Sequence, residues 1–167
     1  EPADAPVQYV DTAQIFNELL ESAEGEEGRA FWCRQVSQDL LTAALPFEAR
    51  SGEGEGEGFS PRRVSFEMPP DGVARVERFI RNRDVPPSAF FLACWCALLF
   101  RLTGQSQVVG ACCDGRNYEE LADALGLFAR YLPLRVSLAE DLRFGDALAR
   151  IREQEARILE LQEYFSF

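Results

Sequence analysis

Five cysteines, Cys33, Cys94, Cys96, Cys112 and Cys113, are the most nucleophilic side chains in this chain of 167 residues. A thiol acts as a nucleophile when a base or a positive neighbour makes it a thiolate, and the usual base is missing, because the sequence has no histidine. Ser-His-Asp and Cys-His arrangements are therefore excluded within this stretch, as are zinc sites built on two or three imidazoles. A general base near neutral pH would have to be a perturbed carboxylate, a thiolate or a terminal amine. The cysteine spacing does not favour a metal either. Cys94 and Cys96 lie two apart in an apolar run of helical length, where such positions point to nearly opposite sides. Cys112 and Cys113 end a strand-like run, where neighbours face opposite sides of a sheet. The odd count, with no C-x-x-C and no secretory leader, reads as reduced, buried, inert thiols in a cytoplasmic protein.

The charge balance narrows the partners. Seventeen basic residues, all arginine, stand against 28 acidic ones for a net charge of −11. Such a field repels a phosphate backbone, so sequence-general nucleic-acid binding is not expected. Hydrophobic residues at 47% and charged ones at 27% give a globular balance, with no apolar run near the ~20 residues that span a bilayer.

The elements that would position any site follow from periodicity. Asp11 or Thr12 caps a first helix running to about Ser22, with Ile15, Phe16, Leu19 and Leu20 on one face. Residues 24–28, with two glycines, predict a break. A second helix follows, with Trp32, Val36 and Leu40 spaced four apart, and ends before Pro46. Glycine and glutamate alternate from Gly52 to Gly58, and residues 51–61 are predicted to be a flexible, self-repelling loop; without a basic residue or a Gly-Lys-Ser/Thr ending, phosphate cradling is not its use. Arg63–Met68 alternates as a half-buried strand does. A helix from Pro69–Asp71 onward precedes one from Pro86–Ser88 to Leu102, apolar nearly all round and expected to be buried on most sides, with Gly104 ending it. Gln107–Cys113 predicts a strand covered on both faces. A turn at 114–117, a short helix through Leu121, Leu125 and Leu127, a strand from Tyr131 to Leu138 and a last helix from Leu142 to Tyr164 complete the α/β pattern.

In this order the residues resemble the condensation domains of nonribosomal peptide synthetases and of hybrid polyketide–peptide synthases. Tyr9-Val10-Asp11-Thr12-Ala13-Gln14-Ile15 is similar to the Y-x-D-F-A-x-W segment, with Thr12 and Ile15 replacing two aromatics. Phe31-Trp32 followed by Leu45-Pro46 resembles Y-W…L-P. Pro87–Phe91 and Leu102-Thr103-Gly104-Gln105 match the helix and the T-G-Q that follows it. Val108-Val109-Gly110 with Arg116 resembles V-V-G-x-x-x-x-x-R, and Leu125–Arg135 resembles G-x-F-V-N-T-L-x-x-R. Gln162-Glu163-Tyr164 falls where the family has Q-D-Y. Arg130-Tyr131 stands where most members have Asn-Thr, and the H-H-x-x-x-D-G active-site motif does not occur in the chain.

The resemblance implies a chloramphenicol-acetyltransferase-like lobe, about half of a condensation domain, with a mixed sheet flanked by helices. Residues 1–50 would be connecting helices between lobes, 51–61 a loop, and 62–167 a C-terminal lobe incomplete at its end. With its missing N-terminal lobe it would form an amide or ester bond between carrier-bound thioesters in the biosynthesis of antibiotics and other secondary metabolites. The alternative is a catalytically empty lobe that docks carrier proteins or other synthase domains. By itself the chain would be inactive, binding no cofactor; the phosphopantetheine arm belongs to the partner carrier proteins. Tyr9, Asp11, Arg116, Arg130 and Tyr131 are the candidates for the tunnel wall. For Asp11 the competing role is capping its own helix. For Arg116 it is an ion pair with Asp114 or Glu119, and for Arg130 and Tyr131 a place on a surface loop. An isolated lobe exposes apolar surface, so self-association is also expected.

Overall fold

The computed structural model describes residues 7–35, 45–46, 61–105 and 107–166. Its centre is an antiparallel ribbon of β1 (Gln107–Cys113) and β2 (Arg130–Val136), in register from Gln107 opposite Val136 to Cys113 opposite Arg130. One face of the ribbon is buried, through Val109 and Cys113 on β1 and Leu132, Leu134 and Val136 on β2. The other face carries Gly110, Cys112, Tyr131 and Arg135, all exposed. β1 is thus covered on one side rather than two, and period-2 alternation explains why a continuous apolar run still divides this way.

Two helices cover the buried face: α4 (Pro87–Thr103) packs on β1, and α5 (Phe144–Glu160) packs on β2 and α4. Small residues Ala89, Ala93 and Cys96 line the inner face of α4 and permit close approach to Ala147, Leu148 and Ile151 of α5. The opposite face of α4 is not buried. Phe91, Trp95, Leu98 and Leu102 are each about half exposed, because all-round apolarity exceeds what one packed stripe can cover. Gly104 ends α4 in the left-handed region at φ 67°, as its position after Thr103 predicts. Before it, α3 (Pro70–Arg83) adds Phe79 to an aromatic group with Phe90 and Phe144 at centroid distances of 5.4 and 5.9 Å.

The amino-terminal pair, α1 (Tyr9–Glu21) and α2 (Ala23–Gln35), packs on the short 3-10 turn Gln162–Tyr164. The expected break at 24–28 lies instead at Ser22, whose Oγ accepts from the Gly25 N–H at 3.1 Å and so caps α2. The glycines serve contact, not termination. A Cβ on Gly28 would overlap the Tyr164 ring, and one on Gly25 would press on the Leu19 and Leu20 carbonyls. Asp11 is not a cap either. Helix α1 begins at Tyr9, which puts Asp11 in its first turn, exposed, after a Gln8 that makes no side-chain cap.

Three further expectations differ from the structure. Residues 61–69 form no strand and are exposed, with Val64 at 88% and Phe66 at 87%, because no described strand lies beside them to supply a ladder. Between the strands there is only a 3-10 turn, Glu119–Leu121; Leu125 and Leu127 face solvent. The last helix stops at Glu160, and its 3-10 continuation ends at Tyr164. The second half of the predicted second helix, with Val36 and Leu40, and nearly all of the 51–61 loop lie outside the described residues.

Candidate functional site

Two of the five candidate side chains, Tyr9 and Arg116, rest on Phe128, which is 1% exposed in a small cluster with Leu121 and Ala124. The Tyr9 ring stands edge-on to Phe128 at 5.3 Å and leans over Gly126, where any Cβ would strike it. The Arg116 guanidinium lies 4.7 Å from the Phe128 centroid on the ring face. Its Nη1 pairs with Asp114 at 2.6 Å and its Nη2 donates to the Ala124 carbonyl at 3.3 Å. These contacts match the structural ion pair with Asp114, and they leave the buried Nε without a partner. Arg130, on β2, reaches the edge of this cluster: its Nη1 donates to the Gln162 carbonyl at 3.1 Å, and the guanidinium sits 5.8 Å from the ring of Phe16, which packs against the cluster.

The other two candidates lie apart. Asp11 is exposed on α1, and Tyr131, 67% exposed, lies on the outer face of the ribbon across Gly110. Arg130 and Tyr131 are strand neighbours, so they necessarily face opposite sides. Both belong to β2, not to a surface loop.

A second polar group escaped selection from the sequence. Asn117 Nδ2 donates to Glu163 Oε1 at 2.6 Å, and Glu163 is only 7% exposed. Gln162 is 2% exposed; its Nε2 donates to the Leu159 carbonyl at 2.9 Å, while its Oε1 has no partner. The signal that could have found them is the Gln162-Glu163-Tyr164 motif, which places a polar run where the last helix packs inward. Burial and the nearby Glu163 charge push the Tyr118 hydroxyl up from its ordinary pKa; burial and the Glu24 charge do the same for Tyr164. Neither hydroxyl is thereby suited to proton transfer at neutral pH. Among the described residues no group of three or more His, Cys, Asp or Glu is placed to hold a metal ion.

The thiols divide. Cys96 and Cys113 are buried, but Cys33 and Cys112 are exposed, contrary to the expectation of uniform burial. Burial pushes Cys96 up to about 11. At pH 8 such a thiol is roughly one part in a thousand thiolate, so Ellman labelling should reach Cys33 and Cys112 first. Cys96 should lag by about a hundredfold until the protein unfolds, which stopped-flow absorbance under native and denaturing conditions would check.

A Condensation domain family model matches residues 1–165. The chain belongs to the condensation-domain family. This condensation chain is 28% identical over 160 residues to phosphinothricin tripeptide synthetase PhsC of Streptomyces viridochromogenes, covering 95% of itself and 14% of that protein. It is 25% identical over 164 residues to bacitracin synthase 1 of Bacillus licheniformis, covering 95% of itself and 3% of the relative. Among solved structures, the first condensation domain of the calcium-dependent antibiotic synthetase superposes with a TM-score of 0.75 at 22% identity, over 97% of this chain and 37% of that one. The condensation domain of Monacolin K polyketide synthase MokA gives a TM-score of 0.71 at 24% identity, over 98% and 39%. The likeness establishes the chloramphenicol-acetyltransferase-like α/β fold, and the condensation chain spans well under half the length of these relatives. No single helix among the described residues is long and apolar enough to cross a membrane.

Proposed function

We propose that the chain forms one wall of the chamber in which a condensation domain joins two carrier-bound substrates into an amide or ester. The match to the condensation family over residues 1–165 carries this reading. In the amide case an amine attacks a thioester carbonyl, a C–N bond forms, the C–S bond breaks, and the thiol leaves with the proton that the amine gives up. Holding the two reactants together supplies much of the acceleration, and this requires a rigid wall. In this reading residues 1–50 connect the lobes and residues 62–167 build the wall. Tyr9 and Arg116 brace it around Phe128, Arg130 ties β2 to the Gln162 carbonyl, and Tyr131 lines the outer face of the ribbon. The phosphopantetheine arms come from carrier proteins, and the remaining lobe supplies the reacting groups, since this stretch holds no histidine.

A second reading, a docking module that binds carrier proteins without turnover, rests on the same family match. Reconstitution of the full-length protein with loaded carrier proteins, followed by mass spectrometry of the released product, separates the two. Amide product from the native protein, reduced about tenfold or more by Arg130→Ala with unchanged thermal stability, supports the wall. Carrier binding without product would overturn it in favour of docking.

A further inference from the structure

We infer that the cleft between α2, β2 and α5 binds a phosphate ester through Arg34, Arg135 and Arg150. The cleft holds about 420 Å³ and brings these three arginines together with Gln35, Ser137 and Glu153. Arg135 Nη1 donates to the Arg34 carbonyl at 3.4 Å, which ties the β2 side chain to the end of α2. Among the described residues, four arginines make ion pairs: Arg75, Arg81, Arg116 and Arg157. Arg34, Arg135 and Arg150 make none among the described residues, in a chain whose net charge is −11.

Three arginines line this one cleft, and an anion held there is attracted by all three. The planar fork of a guanidinium matches the oxygens of a phosphate two at a time. With Glu153 as the one acid among these lining residues, the charges sum to +2, three positive minus one negative, which equals in size the charge on a phosphate monoester dianion. The rest of the lining includes Val136, Leu138 and Ile151, an apolar floor for the carbon skeleton esterified to the phosphate. The inference is independent of whether the chain takes part in amide formation.

Isothermal titration of the protein with glycerol 3-phosphate, inorganic phosphate and acetate tests it. Glycerol 3-phosphate is expected to bind in the millimolar range, more tightly than acetate. Arg150→Gln and Arg34→Gln should each weaken it about tenfold, while Glu153→Gln should tighten it about threefold. Arg150, Arg34 and Glu153 are all exposed, so these changes leave the core intact. Acetate binding as well as the ester, or affinities indifferent to all three substitutions, would overturn the site. So would the absence of any heat with glycerol 3-phosphate.

Discussion

Gly115→Ala is expected to lower the unfolding free energy by about 3 kcal/mol, from two effects that add. Gly115 holds φ at 74°, where an L side chain costs about 1–2 kcal/mol. The new Cβ would also overlap the Phe128 carbonyl oxygen, a backbone atom that no rotamer change can move aside. Overpacking of that kind costs about 1–3 kcal/mol. Gly104 provides the internal control, since it has φ 67° but nothing within 4 Å of its Cβ position. Gly104→Ala should therefore show the backbone cost alone, about 1 kcal/mol. Urea denaturation followed by far-UV circular dichroism would compare the two, and equal losses would show that the Phe128 contact is not the cause. Because Arg116 and Tyr9 both rest on Phe128, the glycine variant should also loosen the proposed wall.

Trp32→Ala should be at least as damaging, at about 3–5 kcal/mol. The indole is 5% exposed, packs against Phe31 at 5.1 Å and Phe165 at 4.8 Å, and donates from Nε1 to the Leu161 carbonyl at 2.9 Å. Trp32→Phe keeps much of the apolar area but leaves that carbonyl without its donor, an effect of about 1–2 kcal/mol. The ordering Ala far below Phe, with Phe below the native protein, is the outcome expected in thermal melts. The other tryptophan, Trp95, is 53% exposed, so the emission of Trp32→Phe should shift to the red as the buried indole is lost.

Helices α3 and α4 were legible because proline opens each, α5 because its apolar residues recur at helical spacing, and the strands because each is a short run rich in apolar residues. The misread elements share one cause, dependence on distant contacts. Gly25 and Gly28 look like breakers until α1 and Tyr164 lie against them, when smallness becomes the requirement. Arg63–Met68 has a strand's alternation, but alternation alone supplies no hydrogen-bond partner. Leu125 and Leu127 have helical spacing near Leu121, yet the turn at Gly126 makes room for Tyr9 instead. At the site, the motif residues Tyr9 and Arg116 do come together on Phe128, which spacing alone could not show. Asn117, Gln162 and Glu163 were hidden because 46 residues separate the hydrogen-bonded pair Asn117 and Glu163.

The bond from Trp32 to Leu161 spans 129 residues, and with it the docking of α1 and α2 on the turn at Gln162–Tyr164. On a ribosome adding about 5–20 residues per second, helices α1 and α2 wait roughly 10 s for the platform they rest on. During that interval Trp32 and Phe31 have no seat, and α4 and the ribbon can assemble only in part because α5 is made late. Helices α1 and α2 can thus dock only after residues 161–164 are made, and slowing translation would lengthen their exposure to chaperones and proteases.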